Sequence, residues 1–140
     1  MKVYFSCSLT GGRQDQPIYA ALVSHLVAQG HDVLTAHLAS LDVMAEEAVV
    51  DAVAVYQRDT TWVEACDAMI AEVSTPSLGV GYEYGLAVQL GKPALCVYRS
   101  GVRLSKMITG NPAPNLGVAA YSSEAELDAT VDTFLTNLTR

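Results

Sequence analysis

No apolar run in this chain is long enough to cross a bilayer, so no membrane span is expected. The first residues, Met1-Lys2-Val3-Tyr4-Phe5, run straight into a strand pattern without a signal-peptide layout, and a cytoplasmic chain is expected. Basic residues are scarce. Eight Lys and Arg stand against fifteen Asp and Glu, and the net charge of −7 argues against a nucleic acid polymer as partner. A small phosphate ligand is not excluded, because helix N-termini and a few hydroxyls bind one locally. Cysteines are few and odd in number. Cys7, Cys66 and Cys96 are expected to be reduced and buried rather than paired. Neither their spacing nor that of His25, His31 and His37 matches a metal site. Repeats, linkers and low-complexity segments are absent, so residues 1–140 read as one domain. Only 16% of the residues are charged and 51% are apolar, which implies apolar surface covered by a partner subunit.

What is present concentrates in one stretch, Ser74-Thr75-Pro76-Ser77-Leu78-Gly79-Val80-Gly81-Tyr82-Glu83-Tyr84-Gly85. An apolar run at 68–73 precedes it and reads as a buried strand. Residues 86–91 follow it and read as a helix ending at Gly91. A strand, a Ser/Thr/Pro/Gly turn and a helix is where open α/β sheets bind ligands. Three glycines around Glu83 let another molecule approach the backbone closely. Glu83 falls in the first turns of the helix, where the dipole favours an ionised carboxylate, a group able to act as a nucleophile. It is equally a helix-start glutamate placed for the dipole alone.

The remaining chain alternates strand and helix patterns. Residues 3–8 read as a first strand, broken by Thr10-Gly11-Gly12-Arg13, a loop of the kind that holds a phosphate or makes an ordinary turn. Helix is expected over 17–29, a second strand over 33–37, and mostly helix over 39–55 and again over 56–66. Within the latter, Asp59 is either a functional carboxylate or the cap of a helix that starts there. Asp67 reads as structural. Strands are expected at 94–99 and 118–121, with a short element at 104–110. Ser123 and Glu126 form a capping-box pattern for a last helix. Five strands alternating with helices give an α/β fold, a doubly wound parallel sheet of flavodoxin/Rossmann-like order 2-1-3-4-5. That order sets the Gly11-Gly12 loop beside the turn from Ser77 to Glu83.

Tyr4-Phe5 with Ser8, Gly11-Gly12-Arg13 with Asp15, Val33-Leu34-Thr35 with His37, Asp59 with Trp62, the long run from Pro76 to Glu83, and Leu104-Ser105 with Met107-Ile108 together resemble one family. It is the 2'-deoxynucleoside 5'-phosphate N-hydrolases, within the nucleoside 2-deoxyribosyltransferase superfamily. The resemblance implies cleavage of the base–sugar bond of a deoxynucleotide through a covalent glycosyl-enzyme. It makes Glu83 the nucleophile at C1'. Asp59 becomes the second carboxylate, helping the base depart by proton donation or a hydrogen bond. Tyr4 orients Glu83 and crowds the sugar 2' position, which favours deoxyribose; without the resemblance it is an ordinary strand aromatic. The 5'-phosphate falls to Ser8, Gly12, Ser77 and Gly79. Ser105 reaches in from the neighbouring subunit of a homodimer, or merely caps a helix. Arg13 assists the phosphate or supports the loop. No metal or organic cofactor is implied.

The chain departs from the family pattern in carrying Cys7 where a glycine is usual, Leu9-Thr10 where a basic residue is usual, and no close match over 39–55. A nucleoside deoxyribosyltransferase, a CMP-type ribonucleotide N-glycosidase and a catalytically silent nucleotide sensor are the competing readings.

Overall fold

The computed structural model describes residues 1–140, all within one five-stranded parallel sheet and the helices around it. The elements in order are β1 (Lys2–Ser6), α1 (Gln16–Ala28), β2 (Asp32–Val33), a 3-10 turn (Ala36–Ala39), α2 (Val43–Ala48) and α3 (Ala52–Ala65). They continue with β3 (Ala68–Glu72), α4 (Leu78–Gln89), β4 (Ala94–Arg99), α5 (Lys106–Thr109), β5 (Leu116–Tyr121) and α6 (Glu124–Leu138). The strand order is 2-1-3-4-5, as expected, and every pairing is parallel. No helix is long and apolar enough to cross a membrane.

Strand alternation divides the core. Val3, Phe5, Ile70 and Leu95 pack under α1 and α6 with Leu22, Leu26, Leu127 and Val131. Tyr4, Met69, Ala71 and Cys96 face α3 and α4 with Val63, Val80, Tyr84 and Ala87. All three cysteines are free and buried.

Several boundaries shift from the sequence reading: β1 ends at Ser6 rather than at residue 8, and β5 starts at Leu116 rather than at residue 118. Two further differences have a local reason. β2 stops at Val33 instead of running to residue 37. The Thr35 hydroxyl accepts from the Phe5 N–H at 2.9 Å and donates to the Phe5 carbonyl at 2.6 Å. A side chain thereby satisfies the β1 groups that a longer β2 would have paired, and the chain turns off at Ala36. The stretch 39–55 is mostly helix, as expected, but not one helix: it holds the short α2, a break over 49–51, and the start of α3 at Ala52. Asp51 supplies the cap, accepting from Val53 N–H at 3.0 Å and Ala54 N–H at 3.2 Å. Asp59 therefore lies inside α3 and caps nothing.

Around the central stretch, α4 begins at Leu78, and the Ser77 hydroxyl accepts from the Val80 N–H at 3.4 Å. Ser123 caps α6 through the Glu126 N–H at 3.2 Å. Glu126 reaches back to the Ser122 N–H at 2.8 Å, one residue before the cap.

Candidate active site

Alternation along β1 puts Tyr4 and Ser6 on one face, toward α3 and α4, where Glu83 descends from the second turn of α4. The Ser6 hydroxyl donates to Glu83 Oε2 at 2.5 Å. Sequence reading passed over Ser6, although its spacing of two from Tyr4 was the available signal. Burial pushes the Glu83 carboxyl up to about 7; the Ser6 bond opposes this and the Asp59 charge adds to it. The helix dipole was expected to favour the charged form, but burial and a neighbouring carboxylate outweigh it. The Tyr4 hydroxyl is fully buried and makes no hydrogen bond. Burial, Glu83 and Asp59 all raise its pKa above the ordinary value. The structure thus brings Tyr4, Asp59 and Glu83 together.

A second set of groups surrounds Asp59. Arg58 Nε donates to Asp59 Oδ1 at 2.8 Å, and its two Nη atoms donate to the Glu47 carboxylate at 3.0 and 3.2 Å. Its guanidinium lies 5.1 Å from the Trp62 ring centre, and His37 meets that ring edge-on at 5.9 Å. His37 Nε2 is 3.0 Å from Glu47 Oε1. Burial works against a charged Glu47, but the Arg58 and His37 hydrogen bonds outweigh it and its carboxyl sits below the ordinary range. Arg58 and Glu47 were not picked out from the sequence. A lone arginine and a lone glutamate on helical segments look like solvated surface.

On the other side, the first loop touches the loop before α4. A Cβ on Gly11 would collide with the Pro76 carbonyl oxygen and come within 2.8 Å of Ser8 Oγ. Gly12 has φ +132, which favours glycine. Ser8 is fully buried and its hydroxyl is unpartnered, a polar atom in place with nothing to bond. Arg13 donates to the Ser8 carbonyl at 3.1 Å and the Ser40 carbonyl at 3.0 Å, and stacks on Tyr19 at 5.3 Å. Of its two expected roles, the geometry displays loop support. Gly79 is exposed in the first turn of α4 beside Ser77.

A cavity of about 800 Å³ opens between α4 and residues 103–111, reaching Gly11, Ser77 and Ser105 but not Tyr4, Asp59 or Glu83. Gly81 and Gly85 line it with open space where a Cβ would be. Ser105 caps α5, accepting from the Met107 N–H at 3.2 Å, and shares this cavity with Ser77 of its own chain. Behind the 74–77 loop, buried Glu72 accepts from the Ser74 hydroxyl, from the Ser74 N–H at 3.3 Å and from the Tyr121 hydroxyl at 2.9 Å. Asp15 accepts from Thr75 at 3.0 Å and pairs with Arg99. These bonds hold the loop that starts α4.

The family model described as nucleoside 2-deoxyribosyltransferase matches residues 3–134. The chain belongs to the nucleoside 2-deoxyribosyltransferase family. Within it, the chain is 49% identical over 112 residues to the 5-hydroxymethyl-dUMP N-hydrolase of Rattus norvegicus, covering 77% of this chain and 68% of that one. It is 40% identical over 144 residues to the 5-hydroxymethyl-dUMP N-hydrolase of Danio rerio, covering 100% of this chain and 99% of that one. Among solved structures, the CMP N-glycosidase of Clostridium botulinum superposes with a TM-score of 0.71 at 20% identity, over 96% of this chain and 99% of that one. That likeness concerns the fold.

Proposed function

We propose that the protein hydrolyses the N-glycosidic bond of 2'-deoxynucleoside 5'-monophosphates, releasing free base and 2-deoxyribose 5-phosphate. The observation that carries this reading is the Glu83 carboxylate held by Ser6 beside Tyr4 and Asp59. Ser6 holds Oε2, so Oε1 is the oxygen that bonds to C1' as the C1'–N bond breaks and the base leaves with its electron pair. Water then adds at C1', the glycosyl–Glu83 bond breaks, and the carboxylate returns. Tyr4, buried beside the nucleophile, crowds the sugar 2' position and favours deoxyribose. Ser8, Gly12, Ser77 and Gly79 form the 5'-phosphate end, where the α4 N-terminus favours an anion. The unpartnered Ser8 hydroxyl supports this.

Incubation with dUMP, dGMP, CMP, GMP and deoxyuridine, read by chromatography, tests the proposal. Free base is expected from a deoxynucleotide and not from deoxyuridine. Base released only from deoxyuridine, faster with a second base present, moves the assignment to transferase. Release from CMP alone means that Tyr4 does not exclude ribose, and no release favours a nucleotide sensor.

We also propose a cytoplasmic homodimer in which Ser105 serves the neighbouring subunit's phosphate end. Leu78 and Met107, 96% and 82% exposed, lie on the rim of the cavity and give a partner apolar surface to cover. Ser105→Asp keeps the helix cap but sets a charge against the phosphate, and is expected to be nearly inactive. Mixing it with inactive Glu83→Ala under conditions of subunit exchange is expected to restore about a quarter of wild-type activity, because half the dimers are mixed and each has one complete site. A mixture as inactive as its parts places Ser105 in its own chain's site.

A further inference from the structure

The 5'-phosphate end proposed above holds hydroxyls, glycines and a helix N-terminus, but no positive side chain. A phosphate monoester carries close to two negative charges at neutral pH. The cavity between α4 and residues 103–111 contains one cation. Of the 19 residues that line it, Arg103 alone is charged. The chain has fifteen acidic and eight basic residues, yet no carboxylate reaches this wall to neutralise the arginine. None of the ion pairs in the molecule uses Arg103. Other cations are committed elsewhere. Arg13 bonds the Ser8 and Ser40 carbonyls and lies on Tyr19. Arg99 pairs with Asp15, and Arg58 pairs with Glu47 and Asp59. Thr10, which stands where a basic residue is usual, lines the same cavity without a charge.

Resting on the hydrolase reading above, we infer that Arg103 is the cation that receives the 5'-phosphate, across the cavity from Ser77 and the N-terminus of α4. Leu104 and Ile108 pack against the core layer of Val80 and Tyr84 and anchor the segment, while Arg103 stays exposed on the cavity wall. A guanidinium offers two parallel N–H donors to two phosphate oxygens, which an ammonium does not. Arg103 meets the phosphate from the open side of the cavity. The buried, unpartnered Ser8 hydroxyl, close behind Gly11, meets it from the protein side. Arg103 stands two residues ahead of Ser105, so both serve the same phosphate, in whichever subunit it lies. The phosphate does not change its bonding while the base leaves. Arg103 therefore holds the ground state and the transition state equally, and its contribution falls on KM and not on kcat.

Arg103→Gln, Arg103→Lys and Lys106→Gln, compared with wild type on dUMP, test this. Arg103→Gln is expected to raise KM by about ten- to a hundredfold, the scale of a charged hydrogen bond, with kcat within about threefold of wild type. Arg103→Lys keeps the charge without the fork and recovers part of the loss. Lys106 is exposed on the same segment but does not line the cavity, and Lys106→Gln is expected to leave KM within about twofold. Inorganic phosphate gives a readout that needs no catalysis. At about tenfold above its wild-type Kd, it is expected to raise the wild-type Tm by about 3–6 °C and that of Arg103→Gln by about 1 °C or less.

An unchanged KM in Arg103→Gln overturns the inference. So does a loss of kcat at constant KM, which makes Arg103 a support of the 103–111 segment. An equal rise of KM in Lys106→Gln overturns it as well, because the effect then belongs to the overall charge of the chain and not to the cavity. A wild-type protein that releases base from no deoxynucleotide overturns the hydrolase reading. The anion site is then decided by the phosphate shift alone: it stands if Arg103→Gln loses the shift and falls if both proteins shift alike.

Discussion

Replacing Glu83 by glutamine is expected to cut base release by about ten-thousandfold or more while making the protein harder to unfold at pH 8. In the proposed mechanism the first effect follows from replacing the carboxylate nucleophile by a weakly nucleophilic amide. The second follows from burial. Glu83 titrates at about 7 instead of 4.5, so the folded chain binds its proton more tightly than the unfolded chain does. The stability linked to that proton is fully present below the unfolded value and is lost as pH rises through about 7. Above that range the folded protein carries a half-buried charge that glutamine never carries. The difference amounts to at most roughly 3 kcal/mol, or a Tm higher by on the order of 5–10 °C. At pH 5 the two proteins are expected to melt together. The wild-type kcat/KM is expected to climb over the same interval if, as proposed, the Glu83 carboxylate is the nucleophile. Thermal unfolding of Glu83→Gln at pH 5 and pH 8 checks the cost, and the wild-type pH–rate profile checks the nucleophile. A variant no more stable than wild type at pH 8 would mean that the carboxylate is better solvated than its position between β1 and α4 implies.

Glu72→Ala is expected to produce the largest loss of stability in the molecule, roughly 3–5 kcal/mol, from an unpaired polar cluster and a cavity together. Glu72 is fully buried, and its carboxyl collects two bonds from Ser74 and one from Tyr121. Burial raises its pKa and these hydrogen bonds oppose the rise. Without it, the Tyr121 and Ser74 hydroxyls lose their acceptor in a region water does not enter. Ser74 also accepts from the Arg99 N–H at 2.8 Å, so the damage spreads to the end of β4. The loss is a large part of the 5–15 kcal/mol that holds an ordinary domain together, and a Tm lower by about 10 °C or more would report it. Glu72→Gln keeps the volume and one acceptor, and is expected to cost less. An unchanged Tm in Glu72→Ala would show that the 74–77 loop is held from Asp15 and Thr75 alone.

Most of the architecture was legible because it rests on alternation and on local caps. The apolar run before Ser74 is β3 to within one residue, and Ser123 with Glu126 marks the start of α6. The strand order follows from parallel crossovers, and it brings Gly11 against Pro76 as expected. The length of β2 was not legible, because the Thr35 hydroxyl takes the place of a backbone partner and leaves no periodic trace. Nor was the break before α3, because Val49-Val50 fits helix and strand patterns alike and only the cap geometry of Asp51 separates them. In the site, Glu83, Asp59 and Tyr4 stood out by their motif. Ser6, Glu47 and Arg58 did not, since what distinguishes them is contact between different elements, Ser6 with α4 and Glu47 of α2 with Arg58 of α3.

Tyr4 and Ser6 face Glu83, while Phe5 and Cys7 point to the opposite layer. Moving β1 by one residue would exchange the two sets, setting a phenyl ring and a thiol against Glu83 and burying a phenol and a hydroxyl under α1. Reading frame along five residues therefore decides both whether the core closes and whether the carboxylate has a donor. Additions ahead of Met1 leave this frame untouched. A single residue inserted or deleted within β1 is expected to disturb the sheet's packing and the Ser6–Glu83 bond together.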